Sequence, residues 1–89
     1  MRKVHWSPLK SFLLKQKLGV SFEDLIKDGI FIDEIQHPSR DNQKILIYEY
    51  KHYLWSIPFV PEKNGAFLKT IYPSRKLMKK YKGANNEEI

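Results

Sequence analysis

Apolar positions along this chain change period near its middle. Up to Gly29 they suit short helices after a brief opening strand, and from residue 44 they follow the two-residue repeat of strands. Lys3-Val4-His5-Trp6 alternates and fits that opening strand. Ser7-Pro8 supplies an N-cap hydroxyl and a proline at the first helical position; Leu9, Phe12 and Leu13 then share one face, and Gly19 stops the helix. Ser21 and Asp24 fit a capping box for a second, short helix. That helix turns Phe22, Leu25 and Ile26 inward and ends at Asp28-Gly29.

Residues 37–43 fit a loop. Lys44 to Tyr50 fits a strand, Lys51-His52 a turn, and Tyr53 to Val60 a second strand. Pro58 lacks a ladder donor and so marks a bulge or an edge near that point. Lys63-Asn64-Gly65 is a hairpin signal, and Ala66 to Tyr72 makes the third strand of a meander. Pro73-Ser74-Arg75 leads into a basic helix with Leu77, Met78 and Tyr81 as its apolar stripe. The order β-α-α-β-β-β-α predicts an α+β fold: a single small domain, residues 1–82, with a curved antiparallel sheet and packed helices. A short polar, acidic tail, residues 83–89, follows it.

Composition narrows the chemistry. The 89 residues, 42% of them apolar, suit one core, and the absence of cysteine excludes disulfides, thiolate nucleophiles and cysteine-based zinc sites. No apolar run is long enough to span a bilayer, and the first six residues lack the apolar stretch of a signal peptide, so a cytoplasmic protein without a membrane partner is expected. His5, His37 and His52 lack metal-ligand spacing, the four glycines form no phosphate loop, and no nucleophile elbow occurs; neither metal nor cofactor is expected.

Charge is more informative. The net charge is +6, and residues 63–82 carry seven bases and no acid, whereas residues 21–34 carry five acids and one base. A one-sided positive field attracts polyanions, although solvated basic helices also serve solubility. Metal-free RNA cleavage needs only a base, an acid and cations around the developing phosphorane charge. Lys69, mid-strand in the predicted meander, and Arg75, at the strand-to-helix junction, are the candidate phosphate cations. An edge charge for Lys69 and pairing of Arg75 with the acids of residues 23–34 are the plainer roles. Strict alternation sets Lys69 and Ile71 on one face and Leu68, Thr70 and Tyr72 on the other. His52 or Tyr81 is the candidate for proton transfer, and Lys51, Lys76, Lys79 and Lys80 for holding flanking RNA backbone. Tyr48, Tyr50, Tyr53 and Trp55 fit pleat packing first and base stacking second.

Gly19-Val20-Ser21-Phe22-Glu23-Asp24 behind a Trp-led first helix, followed by Leu68-Lys69-Thr70-Ile71-Tyr72-Pro73-Ser74-Arg75-Lys76, resembles the BrnT-like toxins of bacterial type II toxin–antitoxin systems. The resemblance covers most of residues 4–82. It implies a RelE-like fold and metal-independent endoribonuclease activity, with Lys69 and Arg75 at the positions of the family's basic residues. It also implies neutralisation by a dimeric ribbon-helix-helix DNA-binding antitoxin, in a complex of two toxins and two antitoxins. Lysine stands at 69 where the commoner pattern has arginine, and Pro73 precedes Ser74. Two other functions remain open on sequence: a non-catalytic basic module that binds RNA or an acidic protein, and an inactive toxin relic.

Overall fold

The computed structural model describes residues 3–79. Its elements run β1 (Lys3–His5), α1 (Pro8–Leu18), a π-helical turn (Asp24–Asp28), β2 (Ile30–Gln36), β3 (Lys44–Tyr50), β4 (Tyr53–Glu62), β5 (Gly65–Leu68) and β6 (Tyr72–Pro73). Residues 75–79 are helical. This is an α+β fold on one six-stranded sheet, ordered β1-β5-β4-β3-β2, with β6 pairing to β4.

Local chemistry accounts for the boundaries. The Ser7 side chain accepts the Lys10 amide at 3.2 Å, Pro8 opens the helix, and Gly19 closes it at φ 85°, its amide bonded to the Lys15 carbonyl. Ser21 and Asp24 form a reciprocal box: the Ser21 amide donates to Asp24 Oδ2 at 3.0 Å and the Asp24 amide to Ser21 Oγ at 3.1 Å. Lys51 and His52 both take the left-handed conformation, φ 53° and 65°, closing the two-residue β3–β4 hairpin.

The sheet departs from the expected antiparallel meander in three ways. Ile30–Gln36 adds a strand, antiparallel to β3, with a bulge between Phe31 and Asp33. β1 pairs with β5 in parallel, which makes the sheet mixed. The approach is so close that a Cβ on Gly65 would stand 1.8 Å from the Lys3 carbonyl oxygen. The predicted strand from Ala66 to Tyr72 is also broken. β5 ends at Leu68, and β6 resumes at Tyr72 with its register to β4 displaced by one residue.

Strand alternation then splits the core. Leu46, Ile57, Phe59, Leu68 and Ile71 pack with Leu14, Val20, Phe22 and Leu25 on the α1 face. Ile45, Ile47 and Leu54 pack with Leu77 and Met78 on the opposite face. The face expected of α1 is corrected by this packing. Leu9, Phe12 and Leu13 are 67%, 59% and 51% exposed, while Ser11 and Leu14 are buried. Among the described residues no helix is long and apolar enough to cross a membrane.

Candidate functional site

The register break beside Pro58 shapes a cavity of about 450 Å³, lined by His37, Arg40, Gln43, Pro58, Lys69, Thr70 and Tyr72. Pro58 is buried in the central strand β4, and its carbonyl accepts the Lys69 amide at 2.8 Å just where β5 has ended. The residue gained before β6 reverses the expected alternation. Tyr72 pairs with Ser56, on the Pro58 face, and Ile71 joins Leu68 in the core. Lys69 is therefore not mid-strand but at the end of β5, exposed, with Nζ 5.7 Å from the centre of the Phe67 ring.

The loop 37–43 forms the opposite wall and is closed by its own hydrogen bonds. The His37 amide donates to the Gln43 carbonyl and the Gln43 amide to the Arg40 carbonyl, each at 3.3 Å. Gln36 Nε2 donates to the carbonyls of Asp41 and Gln43. Most telling for chemistry, His37 Nδ1 accepts the amides of Ser39 and Arg40, both at 3.1 Å. The ring proton of the neutral imidazole then sits on Nε2, so His37 offers an N–H donor. Arg40 and Lys69 add two cations, Tyr72 adds a phenol, and among the described residues no carboxylate lines the cavity. That set can hold a phosphodiester and stabilise negative charge developing on it.

Among the described residues singled out from sequence, only Lys69 lines this cavity. Arg75, Lys76 and Lys79 lie on the helical run 75–79, exposed to solvent. That run starts beside Leu54, whose carbonyl accepts the Ser74 amide at 3.1 Å. From Pro58 to Leu54 is roughly 13 Å of strand. Lys51 and His52 cap the same far end of β4, so the ladder separates His52 from Lys69 instead of joining them. Tyr81 and Lys80 lie outside the described residues, as does the tail 83–89. His37, Arg40 and Tyr72 went unread because a loop histidine and arginine carry no spacing signal. The two-residue turn at Lys51-His52 held the clue: it fixes Lys44 opposite Phe59 and so brings the loop before Lys44 beside Pro58.

Glu23, Asp24 and Glu34, three of the five acids of residues 21–34, are engaged in structure. Glu23 accepts the Ser11 hydroxyl at 2.5 Å and Trp6 Nε1 at 3.1 Å, and the Ser11 bond foremost holds its carboxyl below the usual range. Asp24 pairs with Lys15 at 2.8 Å, which lowers the carboxyl and raises the ammonium. Glu34 meets Lys44 at 3.5 Å. Among the described residues no group of three or more histidines and acids gathers as a metal site would require. Comparison with protein-family models, with curated proteins and with solved structures returns no match to this chain.

Proposed function

We propose that the Lys69 cavity binds an RNA phosphodiester and that the protein is a metal-independent endoribonuclease, the toxin of a type II toxin–antitoxin pair. One observation carries this reading: His37, Arg40, Lys69 and Tyr72 open into a single concave site that no acid among the described residues lines. In the reaction a ribose 2′-hydroxyl attacks the adjacent phosphorus in line and loses its proton. The bond from phosphorus to the 5′ oxygen breaks, and that oxygen takes up a proton, leaving a 2′,3′-cyclic phosphate and a 5′-hydroxyl. Arg40 and Lys69 neutralise the phosphorane, His37 Nε2–H donates to one of its oxygens, and the Tyr72 hydroxyl is the group for proton exchange. The sequence resemblance supports the RelE-like and BrnT-like assignment. The exposed Leu9, Phe12 and Leu13 face supports a protein partner, which in this reading is a dimeric ribbon-helix-helix antitoxin.

Expression without a partner tests this, with growth and RNA ends as readouts. Wild type should arrest growth and leave cyclic-phosphate ends, and Lys69→Ala with Arg40→Ala should do neither. Undiminished cleavage by that double variant overturns the assignment. A second reading, an anion-binding module without turnover, is favoured by His37. With Nδ1 committed to two amides, the ring presents a donor and no proton acceptor. Intact RNA together with steeply salt-dependent binding would select that second reading.

A further inference from the structure

On the sheet face opposite the cavity, around the β3–β4 hairpin, the register aligns aromatic residues from three strands. Phe31 stands opposite Tyr48, Tyr48 opposite Trp55, and Tyr50 opposite Tyr53. Cross-strand partners share a face, so all five rings lie on one surface. The rings touch edge-on or tilted: Phe31 to Tyr48 at 5.7 Å and Tyr53 to Trp55 at 5.6 Å between centroids. Trp55 Nε1 donates to the Tyr50 carbonyl at 3.2 Å, which fixes the indole. Tyr48, Tyr50, Tyr53 and Trp55 are half-buried and Phe31 is 53% exposed, so the core covers one side of this surface and leaves the other open.

The rim carries a cation at Lys51, whose Nζ stands 5.5 Å from the centre of the Tyr50 ring. Lys15 also interacts electrostatically with Tyr50, but its charge is paired with Asp24 at 2.8 Å. Lys51 and His52 hold left-handed backbone, a conformation that is strained for a non-glycine residue. Asn-Gly would close the same hairpin without that strain. The sequence instead keeps two basic side chains at the tip. Unpaired bases stack on such aromatic surfaces while a rim cation such as Lys51 meets the phosphates.

We propose that the face formed by Phe31, Tyr48, Tyr50, Tyr53 and Trp55, with Lys51 on its rim, is a stacking platform for single-stranded RNA. The choice of RNA rests on the reading of the cavity; the platform itself rests on the aromatic register. Because cavity and platform occupy opposite faces, each can be disabled alone.

The probe is a fluorescent 2′-O-methyl oligouridine octamer, which lacks the attacking hydroxyl and survives an active nuclease. Wild type should bind the single strand at low salt and bind its duplex far more weakly. Phe31→Ala with Tyr53→Ala should weaken single-strand binding about 100-fold, tenfold for each ring removed. Lys51→Glu, at an exposed site that leaves the core intact, should weaken it severalfold and flatten its salt dependence. Lys69→Ala should keep most of the affinity while abolishing cleavage of ordinary RNA. Unchanged affinity in both the aromatic double variant and Lys51→Glu overturns the platform, whatever cleavage shows. A concentration-dependent dimer lost in Phe31→Ala, with no oligonucleotide bound, overturns it in favour of a second copy of the chain. Ring-dependent binding with ordinary RNA left uncut sustains the platform and removes the cleavage reading.

Discussion

Ser11→Ala is the change with the most traceable consequence for stability. The Ser11 hydroxyl sits between the first helix and the chain after it, accepting the Phe22 amide at 3.1 Å and donating to Glu23 at 2.5 Å. Ser11 and Phe22 are buried, so the substitution strands a backbone N–H without water, at roughly 2 kcal/mol. Loss of the hydrogen bond to Glu23 adds about 1 kcal/mol, held down because solvent reaches that carboxylate. A loss of about 3 kcal/mol should lower the melting temperature by roughly 12–24 °C in a domain of this size. The loss should also depend on pH. Glu23 is held below its ordinary range chiefly by Ser11, so its stabilisation is present above the unfolded carboxylate range and vanishes as pH falls through the folded value. Urea denaturation at pH 7 and pH 3 measures both parts: the Ser11→Ala penalty should shrink at pH 3 toward the Phe22 amide contribution alone. A penalty below about 1 kcal/mol at pH 7, or one equal at both pH values, would refute this account of the helix junction.

Gly65→Ala should detach β1, because the new methyl group meets the Lys3 backbone; expected are a fall in melting temperature of roughly 8–16 °C and lost protection of the Lys3 amide, which now bonds to Asn64. Asp24→Asn should cost about 1 kcal/mol at neutral pH and almost nothing near pH 2. Lys15 holds the Asp24 carboxyl low, and the stabilisation disappears once that carboxylate is protonated, which thermal melts across pH would show. Lys51→Asn with His52→Gly should stabilise the fold by about 1 kcal/mol, seen as a higher melting temperature, while weakening oligonucleotide binding.

Local chemistry was legible where short-range rules suffice. Ser7-Pro8, Gly19 and the Ser21–Asp24 box each signal through neighbours three or four residues away, and β3 alternates cleanly from Lys44 to Tyr50. β2 escaped because Phe31-Ile32 and Asp33-Glu34 break the apolar–polar alternation just where the bulge falls. The inward face of α1 was misjudged because Ser11 is buried for its hydrogen bonds, a reason invisible to hydrophobic periodicity. The candidate site was legible only at Lys69. His37 and Arg40 reach it through the strand register that the Lys51-His52 turn sets, and Tyr72 through an irregularity that no spacing along the chain signals.

The extra residue between Leu68 and Tyr72 works as a phase shifter. Along a strand the side chains alternate, so one added residue exchanges inside and outside for every position after it. With the shift, Tyr72 stands opposite Ser56 on the cavity side and Pro73 opposite Trp55 on the aromatic side. Without it, Tyr72 would enter the α1 core and Ile71 would face the cavity, exchanging a phenol for a hydrocarbon with no change of sequence on either side. The length of a three-residue link, Lys69 to Ile71, thus governs the chemistry of the cavity wall as firmly as the identity of any residue in it. Two chains alike in composition but differing by one residue there would present opposite surfaces to the same ligand.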